Sequence, residues 1–273
     1  MNATLAKGLD VLEWLVRQQR ECRLVEVAEA HQLGRSNAHR TLRTLVASGW
    51  VVQNASSSGY RASMRLFELG ALVEGTGDLK ASLRTHLDSL ARSSGETIHL
   101  AVLDGAEIIY VDKIDSPLPV AAYSRIGGRA PAYCVASGKA LLAARELDTS
   151  QLQHLLGVLR PHTPNTITRI KALHEELAQT GRRGWAENRE EWRVGVCGLG
   201  ATVFNARGEA VAAIGMSVPT MRFAKVRARA LARQTMNCAL EASKALGFGA
   251  AALAVTQSPS LPRTNHHHNR RKP

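Results

Sequence analysis

Residues 33–50 read LGRSNAHRTLRTLVASGW, and they lie in a stretch without a carboxylate: no Asp or Glu occurs between Glu29 and Glu68. At 3.6 residues per turn, Ala38, Leu42, Leu45 and Val46 fall on one side of a helix, and Ser36, His39, Arg40, Arg43 and Thr44 fall on the other. One side is made for burial and the other is offered to a partner. A solvated helix face normally mixes signs, because acid–base pairs one turn apart contribute about 0.2–0.5 kcal/mol each and limit self-repulsion. This face groups cations with short polar side chains and leaves out the carboxylates that phosphates repel. Arg and Asn forks suit base edges, and Ser and Thr hydroxyls suit phosphates. The composition of the helix therefore points to DNA as the missing anion.

The flanking residues strengthen that expectation. LVEVAEAHQ (24–32) places Leu24, Val25 and Ala28 at helical spacing, and the second helix begins three or four residues later, which is helix-turn-helix spacing. WVVQNASSSGYRA (50–62) reads as strand, Ser/Gly turn, strand, and predicts a hairpin wing carrying Ser57, Ser58, Tyr60 and Arg61. The candidate DNA contacts are Arg35, Ser36, Asn37, His39, Arg40, Arg43 and Thr44 on the helix, and Ser58, Tyr60 and Arg61 on the wing.

A chain of 273 residues suggests two domains and a tail. The net charge of +12 favours an anionic partner, yet the excess is only +2 over residues 1–75, against +6 over 76–250 and +4 over 251–273. Local arrangement, not total charge, singles out the first domain. Cys22, Cys134, Cys197 and Cys238 are widely separated and form no C-x-x-C pair, so neither a disulfide framework nor a zinc site is expected, and no cofactor is called for. No basic leader opens the chain and no apolar run nears the roughly 18 residues of a membrane span, so the expected compartment is the cytoplasm.

Beyond the wing, MRLFELGALVEG and DLKASLRTHLDSLARSSG are amphipathic helical segments on either side of Gly75-Thr76-Gly77, the second with a stripe of Leu79, Leu83, Leu87 and Leu90. β-rich runs are predicted at about 97–104, 106–114 and 118–125, followed by helices near 136–146, 149–157 and 168–181. Two further strands flank Ala206-Arg207-Gly208, and a last helix spans about 221–246. In RIGGRAPAYCVASGKALL (125–142), paired glycines precede an apolar helix. Amides near Ser137, Gly138 and Lys139 could face a carboxylate at the positive helix end, or Ser137 could be an ordinary cap beside a solvated lysine; Arg129 is likewise a ligand contact or a surface charge.

Several enzyme-like signals are weak. Ser137 and Lys139 form S-x-K without the rest of a hydrolase signature. Cys134 and His99 are far apart in sequence, and GVCGLG (195–200) lacks dinucleotide-binding spacing. A metabolic enzyme or a stand-alone small-molecule sensor is the alternative, and it leaves the acid-free helix unexplained. The tail TQSPSLPRTNHHHNRRKP (256–273) is too polar to bury itself and reads as disordered; its three histidines could take up metal adventitiously.

Taken together, KGLDVLEWL, LVEVAEAHQLGRSNAHRTLRTLVASGWV and GYRASMRLFELG resemble the N-terminal winged helix of the IclR family of bacterial transcriptional regulators. ETIHLAVLDGAEIIYVDKIDSPLPV, YSRIGGRAPAYCVASGKALLA, LRPHTPNTIT and GWAENREEWRVGVCGLGATVF follow that family's effector-binding domain in order, so about residues 4–247 are covered. The resemblance implies an α+β chain with a winged helix-turn-helix domain at 1–66, a helical linker at 67–95, a GAF-like mixed α/β effector-binding domain at 96–250 and a basic tail at 251–273. It implies a ligand-responsive regulator, a repressor by the family's weight, acting as a homodimer or homotetramer on a pseudo-palindromic double-stranded operator, with no catalytic cycle. Effector-binding positions carried over are Ala122, Ile126, Ala136, Ser137, Gly138, Asn188, Gly198, Gly215 and Ser217.

This chain departs from the family pattern at informative places. Gln32 stands where the interhelical turn usually has Gly, and Gly34 replaces the usual Pro. In the pocket, Asn188 replaces a common acid, Gly198 a Cys or small residue, and Gly215 a Ser. The resemblance therefore implies a less acidic and roomier pocket, suited to a small organic acid, aromatic or sugar-derived rather than two-carbon.

Overall fold

The computed structural model describes residues 2–72, 76–121 and 124–249, which form two units divided between Gly77 and Asp78. The tail from residue 251 lies outside the described residues. The first unit holds helices α1 (Ala3–Gln18), α2 (Leu24–Ala30) and α3 (Arg35–Ala47), the hairpin β1 (Val51–Gln53) and β2 (Tyr60–Ala62), and α4 (Arg65–Leu72). Its core gathers Val11, Leu12, Leu15, Val27, Leu42, Leu45, Val51 and Tyr60. On α2 the inward face is Val27 and Ala28 with Leu24 beside them, while Val25, which shares the helical spacing, is exposed at the surface. The segment Leu24–Ala30 is short enough that a one-residue rotation of the face satisfies the same spacing.

The interhelical turn is a Schellman close. The amide of Leu33 donates to the carbonyl of Ala28 at 2.8 Å and that of Gln32 to Glu29 at 3.2 Å, with Gln32 left-handed at φ 52°. A side chain other than Gly in that conformation costs about 1–2 kcal/mol. The turn keeps its geometry despite Gln32, and α3 starts at Arg35 with Gly34 as its N-cap.

The second unit begins within α5 (Thr76–Ser94), whose Leu79, Leu83, Leu87 and Leu90 are buried in that unit's own core. Its strands are β3 (Thr97–Asp104), β4 (Glu107–Ile114), β5 (Arg129–Pro131), β6 (Ala186–Arg189), β7 (Val196–Phe204) and β8 (Ala210–Pro219). They form one sheet in the order β5-β4-β3-β8-β7-β6, antiparallel at every pairing. One sheet face packs α5 and α9 (Lys225–Ala245); the other packs α6 (Ala136–Ala143), α7 (Thr149–Leu156) and α8 (Ile170–Arg183). The strand expected at 118–125 is absent among the described residues there. The chain pairs instead at Arg129–Pro131, an edge strand that tolerates the proline.

Two glycines set the position of α6. A Cβ on Gly200 would stand 2.6 Å from the backbone of Ala136 and Ser137, and one on Gly138 would stand 2.3 Å from the Ala132 carbonyl oxygen. The start of α6 thus lies directly on β7. That contact accounts for Gly200, the last glycine of GVCGLG, by packing.

Candidate functional site

In the first unit, α3 buries Ala38, Leu42 and Leu45, and exposes Arg35, Ser36, Asn37, His39, Arg40, Arg43 and Thr44 together. Ser36, His39, Arg40, Arg43 and Thr44 thus share one exposed face, as their helical spacing indicates. Arg40 Nη2 donates to Asn37 Oδ1 at 2.9 Å, which orients the guanidinium along the helix. Thr44 is exposed, but its hydroxyl donates to the Arg40 carbonyl at 3.0 Å, so its proton is already engaged. No side chain caps the N-terminus of α3, and its first amides are left for an external acceptor.

The wing requires a correction. Tyr60 is only 4% exposed and packs in the core of the unit, while its backbone exchanges hydrogen bonds with Cys22 at 2.8 and 2.9 Å. Strand alternation turns Tyr60 inward and Arg61 outward, so Tyr60 is a structural residue and cannot reach DNA. Arg61 and Ser58 are exposed, with Ser58 left-handed at φ 57°. The wing turn is not acid-free in space: Ser57 Oγ and Asn54 Nδ2 donate to the Glu21 carboxylate at 2.7 and 2.8 Å, which holds its pKa below the usual carboxylate range.

In the second unit, a cavity of about 370 Å³ opens where the start of α6 meets β3, β4, β6, β7 and β8. Ala136, Ser137, Asn188, Gly198, Gly215 and Ser217 line it, as carried over from the family pattern. Gly138 faces Ala132 and is not on the wall, and Ile126 is exposed away from it. Ala122 lies outside the described residues. The Cα of Gly138 is packed against Ala132, and Ile126, beside the left-handed Gly127, is exposed.

Asn188 is buried, and its Oδ1 accepts the Glu191 amide at 2.8 Å. Because an N–H donor must meet the oxygen, the side chain orientation is settled and the NH₂ end is the donor left over. The N-cap of α6 is Val135, without a side-chain cap, and the first intrahelical bond runs from the Lys139 amide to the Val135 carbonyl. The amides of Ala136, Ser137 and Gly138 therefore precede the helical ladder. Ser137 is not the cap, and Lys139 is not solvated. Its ammonium is buried and donates to Glu191 Oε1 and Oε2 at 2.7 and 3.0 Å.

His99, Tyr110, Ser124, Arg125, Trp192 and Arg193 also line the cavity, and the sequence reading had not placed them there. A polar residue inside the apolar run TIHLAVL was the available signal for His99. Its ring lies 4.7 Å from that of Tyr110, and Nε2 is 2.6 Å from Ser124 Oγ. Burial, helped by the Lys113 charge, drives the His99 pKa down to about 4, and burial pushes the Cys134 thiol up to about 12. A thiol and imidazole tuned in those directions are the reverse of an activated nucleophile pair.

The folded unit holds His99 neutral where the unfolded chain still binds a proton, so stability is complete above about pH 6.5 and is lost as pH falls toward 4. The expected loss between pH 7 and 4 is of order 3 kcal/mol. His99→Gln should flatten that part of the profile in urea titrations. An unchanged slope would show that another group sets it.

Residues 4–55 match the IclR helix-turn-helix domain, and residues 73–244 match the bacterial transcriptional regulator IclR C-terminal domain. The chain belongs to the IclR family. The IclR-type regulator XynR of Escherichia coli is 33% identical over 249 residues, spanning 90% of this chain and 98% of that protein. KdgR of Escherichia coli is 35% identical, spanning 85% and 88% respectively. Among solved structures, the IclR of Thermotoga maritima shares the fold with a TM-score of 0.74 at 29% identity, covering 90% of this chain and 99% of that one. This is an IclR-family helix-turn-helix transcriptional regulator, with an N-terminal helix-turn-helix domain and a C-terminal α/β domain. Among the described residues no helix is long and apolar enough to cross a membrane.

Proposed function

We propose that the chain binds a pseudo-palindromic operator through α3 and the wing, and that a small organic acid in the cavity alters that binding. The observation that carries the reading is the exposed face of α3, where Arg35, Arg40, Arg43, His39, Ser36 and Asn37 stand together with no acid on the helix. Ser58 and Arg61 extend it onto the wing; Thr44 contributes only if its hydroxyl releases Arg40. A homodimer or homotetramer belongs to the same reading, since paired half-sites mirror protein symmetry. Repression is favoured by a relative named as the transcriptional repressor IclR of Escherichia coli, 31% identical over 247 residues.

Mobility shifts with the chain's own upstream DNA test the first half. Arg40→Ala should weaken binding while the domain stays folded, because Arg40 is exposed and its side-chain partner among the described residues is Asn37. A lost base contact would cost about 1–3 kcal/mol, and a lost phosphate contact would lower the salt slope by about one. Unchanged affinity in both Arg40→Ala and Arg43→Ala would falsify α3 as the reader. Absence of any binding favours the sensor or enzyme alternative.

The cavity supports an acid because its described lining holds donors and cations but no carboxylate: Asn188, Ser137, Ser217, Arg125 and Arg193, with the start of α6. At 370 Å³ it has room for an aromatic or sugar-derived acid. Asn188→Asp is the charge test. Its new Oδ still accepts the Glu191 amide, but a buried carboxylate replaces the NH₂ donor. Acid binding measured by calorimetry should fall at least about tenfold, with operator binding in the absence of acid unchanged. Equal affinity, or binding by neutral and cationic compounds alone, removes the anion-site reading and leaves the regulator standing.

A further inference from the structure

We propose that the cavity takes a dianion, a dicarboxylic acid whose second carboxylate is held by Arg125 and Arg193; this rests on the reading of the cavity as the effector site. Among the described residues three arginines line the cavity, but they are not equivalent. Arg129 is already neutralised, with its guanidinium 2.5 Å from Asp104 and 3.3 Å from Glu107. Arg125 and Arg193 have no carboxylate within ion-pair distance among the described residues, and both line the cavity.

Depth separates the ligand-facing groups. Ser137, Asn188, Gly198 and Gly215 are buried, Tyr110 and Trp192 are half-buried, and Arg125 and Arg193 are exposed. A carboxylate on the neutral donors at the closed end leaves the two guanidiniums uncompensated at the mouth. A ligand with a second carboxylate, spaced from the first by a body that passes the Tyr110 and Trp192 rings, satisfies both ends. A guanidinium fork matches a carboxylate in geometry as well as charge, so the pair selects for the second acid group.

The test is calorimetry on the full chain with terephthalate, isophthalate and adipate, each beside its own monoamide. The monoamide keeps shape and one carboxylate, and replaces the other by a neutral amide. In at least one pair the dicarboxylate should bind about tenfold tighter or more, the size of one charge-assisted contact. The double variant Arg125→Gln/Arg193→Gln should shrink that preference to about twofold or less, because the dicarboxylate loses far more affinity than its monoamide, and since both side chains are exposed and have no ion-pair partner among the described residues it leaves no buried charge behind. Parity between each dicarboxylate and its monoamide overturns the dianion and leaves the single-acid site intact. A preference that survives in the double variant also overturns it, since other groups then hold the second carboxylate. Failure of all six compounds to bind overturns both the dianion and the acid-effector reading beneath it.

Discussion

Lys139→Met should destabilise the second unit by about 3–5 kcal/mol, because it leaves the Glu191 carboxylate buried without its partner. Lys139 is 1% exposed and Glu191 is 7% exposed. Burial already raises the Glu191 pKa in the intact protein, and the attraction of Lys139 opposes that rise. The ammonium also stands 3.9 Å from Glu176, which in turn binds Arg183 at 2.8 Å, so the ion pair joins α6, α8 and the segment after β6. In the variant Glu191 is relieved by protonation, and its raised pKa makes the deficit smaller at pH 5 than at pH 8. Adding Glu191→Gln should recover most of the loss in urea titrations. A single variant as stable as wild type would mean that the ion pair contributes nothing net.

Gly200→Ala should be nearly as damaging, at about 3 kcal/mol, the upper end for overpacking. The atoms it meets at 2.6 Å are the backbone of Ala136 and Ser137, which cannot swing aside as a flexible side chain could. Helix α6 would have to lift from β7 and take the cavity wall with it. Gly198→Ala is the control: its nearest neighbour is the Met216 carbonyl oxygen at 3.3 Å, and it should cost less than about 1 kcal/mol. Equal chemical denaturation midpoints for the two variants would contradict the role given to Gly200.

Much of the first unit was legible because α3 is amphipathic and free of acids at once, and the two patterns are separable: packing explains the apolar side, and the proposed contact with DNA would explain the acid-free one. Tyr60 was misread because its aromatic ring and hydroxyl suit DNA as well as a core; the alternation Tyr60 in, Arg61 out decides it. In the second unit the long strands were legible from their apolar runs. Ala186–Arg189 was not, since four residues of edge strand with a polar inward side chain, Asn188, show no β pattern. A solvated Lys139 was one of two readings left open by the sequence, because its partner is Glu191, 52 positions away. Arg125 and Arg193 are likewise brought to one cavity only by the sheet order.

The most direct measurement is reciprocal linkage in the full chain: acid affinity with and without saturating operator, and operator affinity with and without saturating acid. If the acid in the cavity governs the helix on DNA, each ligand changes the affinity of the other by the same factor, about 5–150-fold for coupling of ordinary strength. Acid affinity that is identical in the presence and absence of operator, with both ligands binding, contradicts the proposal that the cavity controls DNA binding.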